Sequence, residues 1–165
     1  MIMSYVVIFL DVDGVLNTET TCERAPSELY TGIDEMRVQI LAGAMRKCEA
    51  NGVVLTSTWK DLKPGHEDYI YLKEGLSKKG IEILGKTEDP HVYQRGIGVL
   101  NYLDNHPEID EFVILDDQHF DFEKDNTLWE NYIDTGGRGI ESSECASKTP
   151  TVSAMLFLDA IKELS

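Results

Sequence analysis

The sequence predicts an α/β domain with a mostly parallel sheet. Two observations carry this reading. Short apolar runs without polar alternation recur along the chain, at Val6–Leu10, Val53–Leu55 and Phe112–Leu115. Segments with helical spacing separate them, and each run is closed by acidic, hydroxyl or glycine residues. An uninterrupted β-branched and aromatic run suits a strand covered on both faces, and strands alternating with helices build a parallel sheet.

The elements follow in order. Val6–Leu10 is the first strand, and the polar segment Asn17–Ile33, with Pro26 and Gly32, reads as a loop or small flap. Asp34 is placed to cap a helix whose apolar positions Met36, Ile40, Leu41, Ala44, Met45 and Cys48 share a face, and Asn51-Gly52 is expected to stop it. Val53–Leu55 gives the second strand, ending in Thr56-Ser57-Thr58-Trp59. A polar helix is predicted from about Glu67 to Lys79, before Gly80, and Ile81–Leu84 is a third strand. A helix runs from Arg95 to Asn105, with Pro107 beyond its end. Phe112–Leu115 is the fourth strand, closed by Asp116-Asp117, and Tyr132-Ile133 is a short fifth before Gly136-Gly137. Val152–Leu164 is the last helix. Residues 138–150 fit either a lid or a surface loop.

With 165 residues and no internal repeat or low-complexity tract, residues 1–165 are expected to form one domain. Fifteen basic against 30 acidic residues give a net charge of −15. That excludes a broad electrostatic footprint on nucleic acid or anionic membrane. The apolar run Tyr5–Leu10 is too short for a membrane span, and no basic leader stands before it. Cys22, Cys48 and Cys145 are odd in number and scattered, and the four histidines form no metal-ligand spacing. The expectation is a cytoplasmic protein with reduced thiols, no zinc and no membrane partner.

Parallel sheets bind ligands at the carboxyl ends of their strands. That edge would collect Asp11, Asp13, Thr56, Ser57, Asp116 and Asp117 from three strands, with Arg95 opening the helix that leads into the fourth. Each residue alone has a bland reading as a turn former, a cap or a solvated charge. Their shared placement suits phosphoryl transfer. A phosphate approaching a carboxylate is repelled by about 4 kcal/mol per charge pair at about 4 Å and an effective dielectric near 20. A magnesium ion held by carboxylates removes that repulsion, and a hydroxyl and a basic side chain stabilise the remaining oxygens.

The motifs DVDGVLN, the strand-ending TST, the basic residue opening a late helix and ILDD together resemble the haloacid dehalogenase (HAD) superfamily of phosphatases. Within it, the chain is similar to the domain type associated with Swiss-army-knife RNA repair proteins, on DVDGVLN, a Ser/Thr-rich motif followed by tryptophan, and RGIGVLNYLDNHPEIDEFVILDD. The resemblance implies a three-layer α/β/α, Rossmann-like domain with no large cap, since the segments after the first and third strands are short. It implies a magnesium-dependent phosphatase working through an aspartyl phosphate. Asp11 matches the nucleophile and Asp13 the general acid/base, whose backbone carbonyl also meets the metal. Asp116 and Asp117 match the later metal carboxylates, with Asp121 a further candidate. Thr56 or Ser57 binds phosphate, and Arg95 or Lys86 supplies the basic group. Trp59 and Lys60 either touch substrate or pack beneath the next helix.

The substrate is expected to be a phosphomonoester: a nucleotide, a phosphorylated nucleic-acid end or another small ester. Transfer to an acceptor other than water, and a non-catalytic phosphate-binding module, are the rival readings. A response-receiver domain fails on order, because the third strand ends in Gly85-Lys86-Thr87 without an aspartate. The glycines at 96–98 follow no strand and read as helix packing, His119 as solvated and Trp129 as core.

Overall fold

The computed structural model describes residues 3–165. Six strands form one sheet: β1 (Val6–Leu10), β2 (Gly52–Leu55), β3 (Ile83–Lys86), β4 (Glu111–Asp116), β5 (Tyr132–Asp134) and β6 (Glu144–Cys145). Their spatial order is β3-β2-β1-β4-β5-β6, and every pairing is parallel except β5 with β6. The chain moves outward from β1 through β2 to β3, then returns to β4 on the other side of β1. This reversal opens a crevice at the carboxyl ends of β1 and β4, where a ligand fits between diverging connections.

The helices are α1 (Glu35–Lys47), α2 (Glu67–Ser77), α3 (Arg95–Asn105), α4 (Asn126–Glu130) and α5 (Val152–Leu164). Alternate residues of each strand feed two cores. Ile8, Leu10, Val53, Leu55, Val113 and Leu115 pack with Leu41 and Met45 of α1, Leu72 and Leu76 of α2, and Phe157 and Ile161 of α5. Val7, Phe9, Val54, Phe112 and Ile114 pack on the opposite face with Val99 of α3 and Leu128 of α4. The architecture is the expected three-layer α/β/α.

Several local expectations are corrected. Met36 is exposed, because α1 buries Val38, Ile40 and Leu41 through Met45 instead. Asp34 precedes α1 but makes no side-chain cap; its carboxylate takes Arg37 and the Thr21 hydroxyl. Asn51-Gly52 does not stop that helix. Glu49, at φ 54°, turns the chain, Gly52 already belongs to β2, and the Asn51 amide oxygen accepts from the Val6 N–H at 2.9 Å. The third strand begins two residues later than expected, at an irregularity opposite Val53/Val54, so Lys86 lies within it. Residues 138–150 are not a lid: they hold a short 3-10 turn (Ile140–Ser142) and the edge strand β6. Trp129 is half-buried rather than core.

The segments after β1 and β3 hold no further helix or sheet among the described residues, only an isolated bridge between Arg24 and Thr31. The 17–33 segment is fastened down at three points. The wholly buried Asp68 of α2 accepts from the Ser27 N–H at 2.9 Å and from the Ser27 hydroxyl. The Tyr30 ring packs on Trp59 with centroids 4.5 Å apart, and the Tyr71 hydroxyl accepts from the Ile33 N–H at 3.0 Å. The flap is a fixed wall. Asp68→Ala should therefore lower unfolding stability by about 1–3 kcal/mol, the range for a buried hydrogen-bonding group left without its partner. Denaturant unfolding checks the size, and limited proteolysis should show new cleavage within residues 18–31.

Candidate active site

Backbone pairing sets the site. The Asp11 N–H continues the ladder to the Leu115 carbonyl (2.9 Å), and the Thr56 N–H continues it to the Leu10 carbonyl (3.0 Å). Asp11 thus lies beside both Thr56 and the end of β4, where Asp116 and Asp117 follow. One carboxylate oxygen each from Asp11, Asp116 and Asp117 falls within 4.8 Å of the others. Gly14, at φ 84°, turns the chain away from this cluster. A Cβ at Gly14 would overlap the Asp117 carboxylate, so only glycine allows the two loops to approach so closely.

The cluster is buried and its charges are strongly coupled. Asp11 is 5% exposed and Asp116 fully buried. Desolvation, then the neighbouring Asp116, pushes the Asp11 carboxyl well above the usual range, with Arg95 pulling it back. Desolvation likewise pushes Asp116 up to about 7, again opposed by Arg95. The Arg95 terminal nitrogen bridges the pair, donating to Asp11 Oδ1 at 3.1 Å and Asp116 Oδ2 at 2.7 Å. Burial works against the guanidinium charge, but the two carboxylates more than offset it, so Arg95 stays protonated. When all three carboxylates are ionised, one guanidinium leaves two negative charges uncompensated, the charge of one divalent cation. An all-oxygen donor set of this kind suits a hard cation.

Asp13 stands apart from this cluster. Its carboxylate accepts from the Asn17 amide at 2.9 Å and from the Trp59 indole N–H at 3.3 Å. Asn17 also accepts from the Gly14 N–H at 3.0 Å, tying the turn together. Of the three buried side-chain polar atoms without a partner among the described residues, two belong to this site: Thr56 Oγ1 and Arg95 Nε. Buried donors are almost always satisfied, so such atoms in a crevice point to a ligand with acceptor oxygens. The Ser57 hydroxyl is already engaged, accepting from the Trp59 N–H at 3.2 Å at the start of a 3-10 turn.

The rivals among the sequence candidates separate cleanly. Lys86 donates to the Lys60 carbonyl at 3.1 Å, and Lys60 is itself buried, donating to Thr87 (3.0 Å) and Asp89 (2.8 Å). Neither lysine joins the acidic cluster, whereas Arg95 does. Trp59 is wholly buried, so the expectation that it contacts substrate is corrected: the indole supports Asp13 from below. Asp121 also lies outside the cluster, accepting from the Gly96 and Ile97 N–H groups at 2.6 and 3.3 Å. His119 is half-exposed and touches Asp134. Sequence reasoning missed Asn17 and Phe120, whose ring centroid lies 4.2 Å from the Arg95 guanidinium carbon. Asn17, three residues after Gly14, carried a readable turn signal; Phe120 carried none.

The sequence profile of the family described as "HAD domain in Swiss Army Knife RNA repair proteins" matches residues 7–144. The chain belongs to this HAD family. Membership places it among the HAD-type phosphatases in general terms, as DVDGVLN and ILDD implied, and the match takes in β1 through β5 with every residue of the acidic cluster. No curated protein and no solved structure shows a significant match to the chain. No helix among the described residues is long and apolar enough to cross a membrane.

The raised carboxyl groups make stability depend on pH. Between the ordinary aspartate range and about 7, the folded chain holds protons on Asp116 that the unfolded chain has released. Stability of the metal-free protein is therefore full below about pH 4 for this group and falls as pH rises through 7. In chelator, the thermal midpoint attributable to this group should be lower at pH 7.5 than at pH 5.5. Asp116→Asn should flatten that difference, and a slope unchanged in Asp116→Asn would contradict the assignment.

Proposed function

We propose that the chain is a magnesium-dependent phosphatase that hydrolyses a phosphomonoester through an aspartyl phosphate on Asp11. The observation carrying this reading is the pairing of two unpartnered buried donors, Thr56 Oγ1 and Arg95 Nε, with a three-carboxylate cluster on the same crevice. Donors alone suit any anion and carboxylates alone any cation; together they suit a phosphoryl group bridging to a metal.

Asp11, Asp116 and Asp117 would hold the magnesium ion, with the Asp13 backbone carbonyl. When bound, the ion neutralises the carboxylates and the phosphoryl oxygens, lowering the barrier to anionic attack. The Asp11 carboxylate then forms the new P–O bond as the ester P–O bond breaks, and Asp13 gives its proton to the leaving oxygen. Asp13 next takes a proton from water, whose oxygen attacks phosphorus and breaks the Asp11–phosphorus bond. Inorganic phosphate leaves and Asp11 is restored. Thr56 and Arg95 hold the non-transferring oxygens, and the fork of arginine suits two of them at once. Asn17 and Trp59 fix the carboxylate of Asp13 against the pocket wall.

The family description supports a phosphorylated nucleic-acid end as substrate. A net charge of −15 opposes any grip on a long phosphate backbone, so recognition centres on the terminal phosphate and its nucleotide. Val92 and Tyr93, three and two residues before Arg95, are 78% and 76% exposed. An exposed aromatic beside the site offers a face on which a terminal base stacks.

Wild-type protein should release phosphate from an aryl phosphate in magnesium and lose that activity in chelator. Asp11→Asn should reduce kcat by at least roughly 10³-fold, as expected when a nucleophile is removed. Equal phosphate release by wild type and Asp11→Asn would sink the mechanism. A second comparison addresses substrate. Tyr93→Ala should raise KM for a phosphorylated oligonucleotide end by roughly 5- to 50-fold, about the worth of one stacked base, and leave KM for the aryl phosphate unchanged.

A further inference from the structure

The loop that follows β4 does more than supply acidic residues: its last two members, Phe120 and Asp121, grip the helix that carries Arg95. The first amides of any α-helix lack partners within it, and a side chain at the N-cap commonly fills them. In α3 the N-cap residue Gln94 makes no side-chain cap. Asp121, 25 residues away from Gly96, does so instead, accepting from the Gly96 N–H at 2.6 Å and the Ile97 N–H at 3.3 Å. A carboxylate at this end also answers the positive pole of the helix. The fit demands glycine at 96, because a Cβ there would come 2.8 Å from Asp121 Oδ1 and 3.2 Å from Leu128. Of the two glycines noted in the sequence, Gly96 is explained by this approach, whereas Gly98 faces Asp89 and the Glu88 carbonyl.

Phe120 holds the other end of the same arginine. Its ring lies under the guanidinium carbon at 4.2 Å, close enough for a cation–π contact that is strengthened by burial. The residue takes φ 46°, a left-handed conformation that is uncommon for a bulky side chain, and the ring packs edge-on against the fully buried Phe122 at 6.1 Å. Arg95 is therefore held on three sides by the end of β4 and the loop after it: Asp116, the last residue of the strand, binds its terminal nitrogen, Phe120 supports its face, and Asp121 anchors its helix.

We infer that Phe120 and Asp121 are positioning residues that fix the Arg95 guanidinium toward the phosphoryl site, and that Asp121 is not a metal ligand. The inference rests on the role given to Arg95 above. Its geometry has a consequence for turnover, because a displacement of about 1 Å in a positioned group can cost roughly 100-fold in rate.

The test uses Phe120→Leu, Phe120→Tyr, Asp121→Asn and Asp121→Ala with three readouts. The first is the Arg95 Nε–H resonance in protein labelled with ¹⁵N-arginine, assigned by its loss in Arg95→Lys. The second is kcat and KM on a small aryl phosphate, and the third is Mn²⁺ affinity by calorimetry. Phe120→Leu and Asp121→Ala should broaden the resonance and speed its solvent exchange. Both should lower kcat by roughly 10- to 100-fold with Mn²⁺ affinity unchanged within about twofold. Phe120→Tyr, which keeps the ring, should retain the wild-type resonance and rate. Should Asp121→Ala fail to fold, the isosteric Asp121→Asn carries the same reading at smaller amplitude.

Weakened Mn²⁺ binding in Asp121→Asn, with an unchanged Arg95 resonance, would overturn the inference and make Asp121 part of the metal site. A wild-type resonance and kcat in Phe120→Leu would overturn the role of the ring. A wild-type protein inactive on every phosphoester would defeat the proposed function alone, since the resonance still reads the grip on Arg95.

Discussion

The contact between the Arg95 guanidinium and the paired carboxylates of Asp11 and Asp116 governs much of the remaining structure. Two aspartates at the ends of adjacent parallel strands, both almost wholly buried, cannot ionise together without a cation among them. Desolvation raises both, Asp116 raises Asp11 further and Asp117 raises Asp116, and Arg95 is the force that chiefly lowers them. The guanidinium must therefore reach into the crevice from one fixed position. That fixes where α3 begins, which in turn determines how the chain returns from the edge strand β3 to the central β4. A connection that entered elsewhere would leave the acids uncompensated, a cost of several kcal/mol for a buried charge.

The two aspartates of the opening motif are separated by environment as much as by distance. Asp11 sits deep, between carboxylates and a guanidinium, where its charge is useful only when cations surround it. Asp13 sits nearer the rim, held by two neutral donors, the Asn17 amide and the Trp59 indole. Neutral donors fix a carboxylate in place without committing it to an ion pair, which leaves it able to exchange a proton with a leaving oxygen or with water. On the proposed mechanism, one turn of four residues would thus supply one group for covalent chemistry and one for proton transfer, the division that carboxylate pairs achieve when their surroundings differ.

The strands and the acidic residues were legible because their signals are local. An apolar run closed by an aspartate marks a buried strand end, and two such ends on neighbouring strands place their acids together. Arg95 could be chosen over Lys86 only in part, since a basic residue opening a helix and one just after a strand can both face the strand edge. The structure separates them because β3 extends two residues further than its apolar pattern, which points Lys86 at the Lys60 backbone. What stayed hidden depended on partners distant in the chain. Asp121 reads as a repeat of the acidic motif, yet its partners are amides 24 and 25 residues earlier. Asn51-Gly52 reads as a helix stop, yet its glycine is needed in β2, where a Cβ would meet the Leu84 side chain at 2.7 Å. Trp59 could not be assigned between a substrate contact and packing, because nothing local reports that Tyr30 covers it.

The fixed flap limits how this site can select its substrate. A mobile cap excludes water and recognises the leaving group by closing over it, but the 17–33 segment is tied to α2 by Asp68 and Tyr71 and to the pocket wall by Trp59. No inserted domain stands in the segments after β1 or β3 among the described residues. With no closing cap, discrimination would rest on the residues around the crevice, in a chain that carries twice as many acidic as basic residues. On the phosphatase reading proposed above, a substrate with charge spread along its length would be attracted only by the proposed magnesium ion and Arg95. One whose charge is concentrated in a terminal phosphate, with an apolar or aromatic group behind it, meets favourable contacts at both ends. Under the proposed reading, a localised positive focus in a negative field would favour phosphate ends over phosphate chains.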